Sequence, residues 1–209
     1  DDLYFWALQV DLADARGIWG GAHTGLQWNR RYPDGRAVNW GGYHSGERGG
    51  GVLSGSVSDL QGFADDPHTL AYAWELGRPY RLRVFASPDV PGAWRAAVTD
   101  LLADETVVIR DLFPPPGRGG EPGYLARPLV WSEVFADCDA PSVAVRWSAL
   151  TAVDASGTVL SPEAVSVNYQ SEAAGGCANT TVALDDVGLR QVTSVERTTP
   201  QGARLAVPR

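Results

Sequence analysis

Hydrophobic and polar residues alternate with a period of two along most of the chain, which is the pattern of half-buried β-strands. In "LAYAWELGRPYRLRVFA", Leu70, Tyr72, Trp74 and Leu76 share one face, with Ala71, Ala73 and Glu75 on the other. After "GRP", Tyr80, Leu82 and Val84 oppose Arg81 and Arg83, so the stretch predicts a hairpin. "AWRAAVTD" repeats the alternation with Trp94, Ala96 and Val98 on one side. "ETVVIRDLF", "RPLVWSEVFAD", "SVAVRWSALTAV", "AVSVNYQS", "TTVAL" and "RQVTSVERTT" follow, each a short run of strand-like composition between Pro, Gly, Asp or Ser. About a dozen short strands at this spacing predict an all-β protein, an antiparallel β-sandwich or jelly roll.

Helical evidence is thin. "PGAWRAAVTDLLADE" permits apolar contacts at i, i+3 and i+4, but its alternation favours a strand followed by a turn. "GGYHSGERGGGVLSGS" and "FPPPGRGGEPGY" read as surface loops. No repeat of solenoid or propeller period occurs. In "GGAHTGLQW", residues 20–28, Gly20 and Gly21 ease a turn and Gly25 suits a close backbone approach. Leu26 and Trp28 then take the inward parity, leaving His23, Gly25 and Gln27 on the opposite face. If that face is open, His23 and Gln27 meet a ligand; if it is covered, they are hydrogen-bonded structure, which is the favoured expectation.

Composition narrows the classes. The 209 residues, 44% of them hydrophobic, suffice for one sizeable core, and the expectation is a single domain over 1–209. No apolar run reaches the roughly 18 to 20 residues that a bilayer-spanning helix needs. The formal charge of -8, with 17 basic residues scattered among 25 acids, argues against a nucleic-acid partner. Every basic residue is arginine, which fits a GC-rich genome and so a bacterial source. The absence of methionine suggests a start at a processing site, hence an exported, extracellular protein. In that setting Cys138 and Cys177 are expected to form one disulfide, closing a loop of about 40 residues worth on the order of 3 to 4 kcal/mol.

Four stretches, "FWALQV" leading into "GGAHTGLQ", "YAWELGRPYRLRV", "AWRAAVTD" and "VWSEVFADC", resemble in their order the domain of unknown function 3472 family. The matching residues are Gly25 and Gln27, then Trp74, Gly77 and Tyr80, then Glu133 and Phe135. The resemblance spans about residues 3–150, with strands of 151–209 expected to pack on that core. It implies a secreted β-rich domain, often associated with carbohydrate, and supplies no catalytic residues.

Candidate chemistry centres on Glu133, which shares strand parity with Leu129, Trp131 and Phe135. An acid between aromatics suits a sugar-binding groove, because rings stack on pyranose C–H faces while a carboxylate accepts hydroxyl hydrogen bonds. The competing reading, which carries more weight, is a core face with Glu133 paired to an arginine such as Arg146 or to a tyrosine. Glycosidic hydrolysis would ask for a second carboxylate, and Glu75 is the first candidate, ahead of the strand-end residues Asp100 and Asp137. No E-x-D-x-E cluster, nucleophile elbow, P-loop or dinucleotide fingerprint occurs.

His23, His44 and His68 lack the short spacing of zinc sites; His23 and His44 could converge with Glu47 as a third ligand if their strands pair, but surface or loop histidines are the expectation and no metal is expected. Asp137, Asp139 and Asp154 offer oxygens of the kind calcium takes, although Asx turns account for them better. "NTT", residues 179–181, has the form of a glycosylation sequon. Of the eight tryptophans, most are expected in the core, with Trp28, Trp40 and Tyr43 exposed beside the glycine loops. The leading expectation is non-catalytic binding of an extracellular carbohydrate or cell-envelope glycan through His23, Gln27, Trp40, Tyr43, His44 and Glu133. The alternatives are a glycan-active hydrolase or lyase built on Glu133, and a structural or protein-partner-binding secreted domain.

Overall fold

The computed structural model describes residues 2–44, 50–60, 63, 68–117 and 123–207. It is nearly all β and antiparallel throughout, with fifteen strands among the described residues. The strands gather into two compact units, 1–135 and 136–209.

The first unit is a sandwich of two sheets. Strands β1 (Leu3–Asp14), β2 (Gly17–Asn29), β3 (Arg36–Tyr43), β4 (Thr69–Ala71) and β8 (Tyr124–Phe135) form a five-stranded sheet in the order β4-β3-β2-β1-β8. Strands β5 (Tyr80–Ala86), β6 (Trp94–Asp100) and β7 (Glu105–Leu112) form a three-stranded meander. Even-numbered side chains carry the core: Val10 and Leu12 of β1, Ala22 of β2, and Val38 and Trp40 of β3 pack against Trp94, Ala96 and Val98 of β6 and Leu112 of β7. Each such large apolar side chain contributes about 1.5 to 3 kcal/mol by leaving water. Trp94, Ala96 and Val98 fall on one buried face, as their alternation predicts.

Trp40, expected at the surface, is fully buried instead. Its parity with Val38 turns it inward, and its Nε1–H donates to the Trp94 carbonyl at 3.1 Å, joining the two sheets. The hairpin expected at 70–84 is also corrected. β4 stops at Ala71 and pairs with β3, whereas β5 pairs with β6 in the other sheet. Residues 72–79 cross between sheets, and the alternation there reflects packing at both ends of the crossing. Tyr72 meets Tyr80 with ring centroids 6.0 Å apart, Trp74 donates to the Gln27 carbonyl at 2.9 Å, and Leu76 is left 85% exposed.

The second unit holds β9 (Ala144–Trp147), β10 (Ala152–Val153), β11 (Val159–Leu160), β12 (Ala164–Ser166), β13 (Thr180–Leu184), β14 (Leu189–Thr193) and β15 (Arg204–Ala206). They form a β13-β14-β9 sheet and the pairs β10-β11 and β12-β15. The pairing of β9 with β14 places residues 144–147 in this unit. Cys138 and Cys177 are bonded, as expected. No helix among the described residues is long and apolar enough to cross a membrane.

Candidate functional site

The face of the five-stranded sheet opposite Val38 and Trp40 carries the odd-numbered residues and is largely covered: Phe5, Ala7, Gln27, Ala37, Asn39 and Thr69 are buried, and Tyr32, Leu60 and Phe63 cluster with Ala37. Strand register sets these residues in rows. From β4 to β8, one row is Ala71, Ala37, Gln27, Phe5 and Glu133, and the next is Thr69, Asn39, Gly25, Ala7 and Trp131. The third runs Gly41, His23, Gln9 and Leu129. Small residues at the centre let the strands and rings close in. A Cβ on Gly25 would lie 2.0 Å from the Trp6 carbonyl oxygen, and one on Gly41 would lie 1.8 Å from His68 Nδ1. His68 therefore sits directly on Gly41.

Around this floor stands a cluster of rings. His23 lies 5.6 Å from His68, 5.6 Å from Phe5, 6.0 Å from Trp131 and 6.4 Å from Tyr43, while Tyr43 and His68 are 5.3 Å apart. Phe5 and Trp131 are in contact at 5.5 Å. Burial, and after it the neighbouring His68, push the His23 imidazole down to about 3, so it is neutral at physiological pH.

That shift predicts acid sensitivity. A histidine whose folded pKa lies below its unfolded value of about 6.5 contributes stability that is intact above pH 6.5 and is lost as pH falls toward 3, because only the unfolded chain takes the proton readily. Discounted for the part of the ring at the surface, the expected loss by pH 4 is about 2 kcal/mol. Urea unfolding at pH 7 and pH 4 should show this loss shrinking by a similar amount in His23→Gln; an identical loss in both proteins would refute it.

The other expected residues divide. Gln27 is buried and its Oε1 accepts from Thr69 Oγ at 2.9 Å, so it is hydrogen-bonded structure, while the half-buried His23 joins the ring cluster. Glu133 and Trp131 are half-buried neighbours on one face of β8, and Tyr43 is half-buried against His68. Trp28 is half-buried rather than exposed, in edge contact with Tyr4 at 5.5 Å. Trp40 lies on the inner face and has no place in this site. His44 is exposed, with Nε2 3.1 Å from the Val52 carbonyl oxygen, and Glu47 lies outside the described residues. Glu75 sits on the crossing, ion-paired with Arg78, and Arg78 also pairs with Asp100. Arg146 pairs with Asp185 within the second unit.

Two members of the face have no place in the expected ligand set. His68 is visible in the sequence only as an isolated histidine, since the pairing of β4 with β3 is what delivers it. Asn39 is fully buried; its backbone carbonyl accepts from Thr24 Oγ at 2.8 Å, but its side-chain amide has no partner among the described residues. The available signal is a polar residue of outer parity between Ala37 and Gly41.

Among the described residues, no group of three or more His, Cys, Asp or Glu could hold one metal ion. Asp154 Oδ1 instead accepts from Ser156 N at 2.8 Å, Ser156 Oγ at 2.6 Å and Thr158 N at 2.9 Å, an Asx turn. Led by the Ser156 hydroxyl, these bonds hold its carboxyl below the ordinary range.

Fold and face together define an antiparallel β-sandwich with an aromatic, mostly uncharged patch on one sheet. No family model matches the chain, and no curated protein matches it. Among solved structures it is similar to the crystal structure of aspergilloglutamic peptidase from Aspergillus niger, with a TM-score of 0.48 and 14% identity over 92% of this chain and 99% of that one.

Proposed function

We propose that the protein is exported and that its first unit binds an extracellular carbohydrate, without turning it over, at the β8 edge of the five-stranded sheet, beside the covered centre of that face. The observation that carries this reading is the pairing of Trp131 and Glu133. They share one face of β8, both half-buried, and the Trp131 ring lies against those of Phe5 and His23. Aromatic rings offer stacking surfaces to pyranose C–H faces, and a carboxylate beside them accepts hydroxyl hydrogen bonds. The Cys138–Cys177 bond fits an oxidising compartment outside the cytoplasm.

Three features favour binding over hydrolysis. Glu75, the expected partner acid, is engaged on the crossing with Arg78. Asp11, the acid of the same parity on β1, is buried and ion-paired with Arg127. A neutral His23 is also a poor proton shuttle near pH 7. The test is a glycan array followed by titration calorimetry of the best ligand with Trp131→Ala and Glu133→Gln. Each variant is expected to weaken binding about tenfold or more while remaining folded. Retention of no glycan by the native protein would favour a structural role, and release of new reducing ends would favour a hydrolase using Glu133.

A further inference from the structure

The second unit carries a cleft of about 190 Å³, open to solvent and lined by Tyr169, Gln170, Ser171, Glu172, Arg197 and Gln201. Arg197 is its fixed point. The half-buried guanidinium lies 4.0 Å from the centroid of the Tyr169 ring. Its Nε donates to the Thr180 carbonyl at 3.1 Å, and Nη2 donates to the Cys177 carbonyl at 2.7 Å and to Thr180 Oγ1 at 3.3 Å. The ring is held as well: the Tyr169 hydroxyl donates to the Thr199 carbonyl at 3.0 Å and accepts from the Val182 N–H at 3.1 Å.

These partners are all uncharged. They set the plane of the guanidinium without neutralising it, and Nη1, with two N–H donors, has no partner among the described residues. A guanidinium held this way is prepared for an anion, since its side-chain freedom is already lost before the ligand arrives. A carboxylate at Nη1 forms a charge-assisted hydrogen bond, the stronger kind.

The rest of the lining says what carries that carboxylate. The side chains of Ser171 and Glu172 are exposed and make no hydrogen bond or ion pair among the described residues. Gln170 Nε2 donates to the Ala174 carbonyl, which leaves Oε1 as an acceptor. Gln201 is occupied, accepting from the Tyr169 N–H at 2.6 Å and donating to Asn168 Oδ1 at 2.7 Å. The cleft therefore pairs one cationic donor with a carboxylate, an amide oxygen and a hydroxyl. A phosphate or sulfate would meet the Glu172 charge and leave those acceptors idle. A sugar acid brings one carboxylate and several hydroxyl donors, matching both sets. The volume is below the roughly 300 to 1,000 Å³ of a pocket for a drug-sized ligand, so it suits a single sugar unit.

We infer that this cleft binds one hexuronate unit, its carboxylate on Arg197 Nη1 and its ring hydroxyls donating to Glu172 and Gln170. All the residues involved belong to the second unit. The site is thus independent of the β8-edge reading, and loss of either leaves the other standing.

The experiment is an NMR titration of the isotope-labelled full chain, following the amides of residues 169–172, 197 and 201. The probes are the methyl glycosides of glucuronic and galacturonic acid, each against its neutral parent, which has a hydroxymethyl group in place of the carboxylate. At least one uronoside is expected to shift these amides and to bind about tenfold or more tightly than its parent. Acetate and L-glutamine are expected to bind more weakly than that uronoside. Equal or tighter binding of acetate would reduce the cleft to a general anion site, and of L-glutamine to an amino-acid site; either overturns the proposal, as does no shift with both uronosides. Arg197→Gln is expected to abolish the shifts. Because that change also removes bonds to Cys177 and Thr180, the exposed Glu172→Ala is the second variant. It is expected to keep the native Tm and to weaken the uronoside about threefold or more. Stronger binding in Glu172→Ala is what bare charge attraction gives, and unchanged binding would mean that Glu172 meets no hydroxyl; both would overturn the assignment.

Discussion

Replacing Trp40 by alanine is expected to destabilise the protein by about 4 kcal/mol, the range typical of large aromatic deletions from a packed core. Trp40 is completely buried between the two sheets of the first unit, in one cluster with Val38, Leu53, Trp94 and Val98. The substitution removes that packing and strands the Trp94 carbonyl, which otherwise accepts from the indole Nε1–H. Leaving a buried acceptor unpaired adds to the cavity cost. Chemical denaturation measures the change directly. Glycan affinity in the fraction that remains folded should be nearly native, since the side chain faces away from the outer rows. A Trp40→Ala protein of native stability that had lost its ligand would place this residue in the site and contradict the inner-face position.

Trp40 also marks how far the sequence could be read. Period-two alternation correctly separates the chain into strands and assigns faces within a strand: Trp94, Ala96 and Val98 inward, and His23 with Gln27 opposite Leu26. Alternation does not say which strands become partners. Tyr72, Trp74 and Tyr80 keep the rhythm of a hairpin, although the chain is crossing from one sheet to the other, because both ends of a crossing also bury aromatic residues. The glycines following Trp40 suggest a loop, when in fact Gly41 and Gly42 lie within β3 and admit His68 and the neighbouring strand.

The candidate site is legible to the same depth. Parity alone sets His23, Gln27, Tyr43 and Glu133 on one surface or beside it. His68 and Asn39 depend on strand order, which only tertiary pairing fixes, and so they carry no local mark. That largely covered face is also where local rules are broken, with a neutral histidine and an unsatisfied amide.

The second large effect belongs to the other unit. Its strands are short: β10 and β11 have two residues each, β12 and β15 three. Strand pairs of this size are marginal without further support. Its buried apolar residues among those described are Val167, Val182, Leu189 and Val192, a thin core compared with that of the first unit. In such a structure a covalent staple carries a large share of the stability. Cys138 and Cys177 are 39 residues apart in sequence, and closing a loop of that length lowers the entropy of the unfolded chain by an amount worth about 4 kcal/mol. The bridge is tied into its surroundings as well: Asn179 Nδ2 donates to the Cys138 carbonyl at 2.5 Å, and an Arg197 guanidinium N–H donates to the Cys177 carbonyl at 2.7 Å. The double variant Cys138→Ala/Cys177→Ala is therefore expected to speed native-state hydrogen exchange of the β9, β13 and β14 amides by roughly 10²- to 10³-fold. Exchange at the native rate in those strands would mean that their few buried side chains, and not the bridge, hold the unit together.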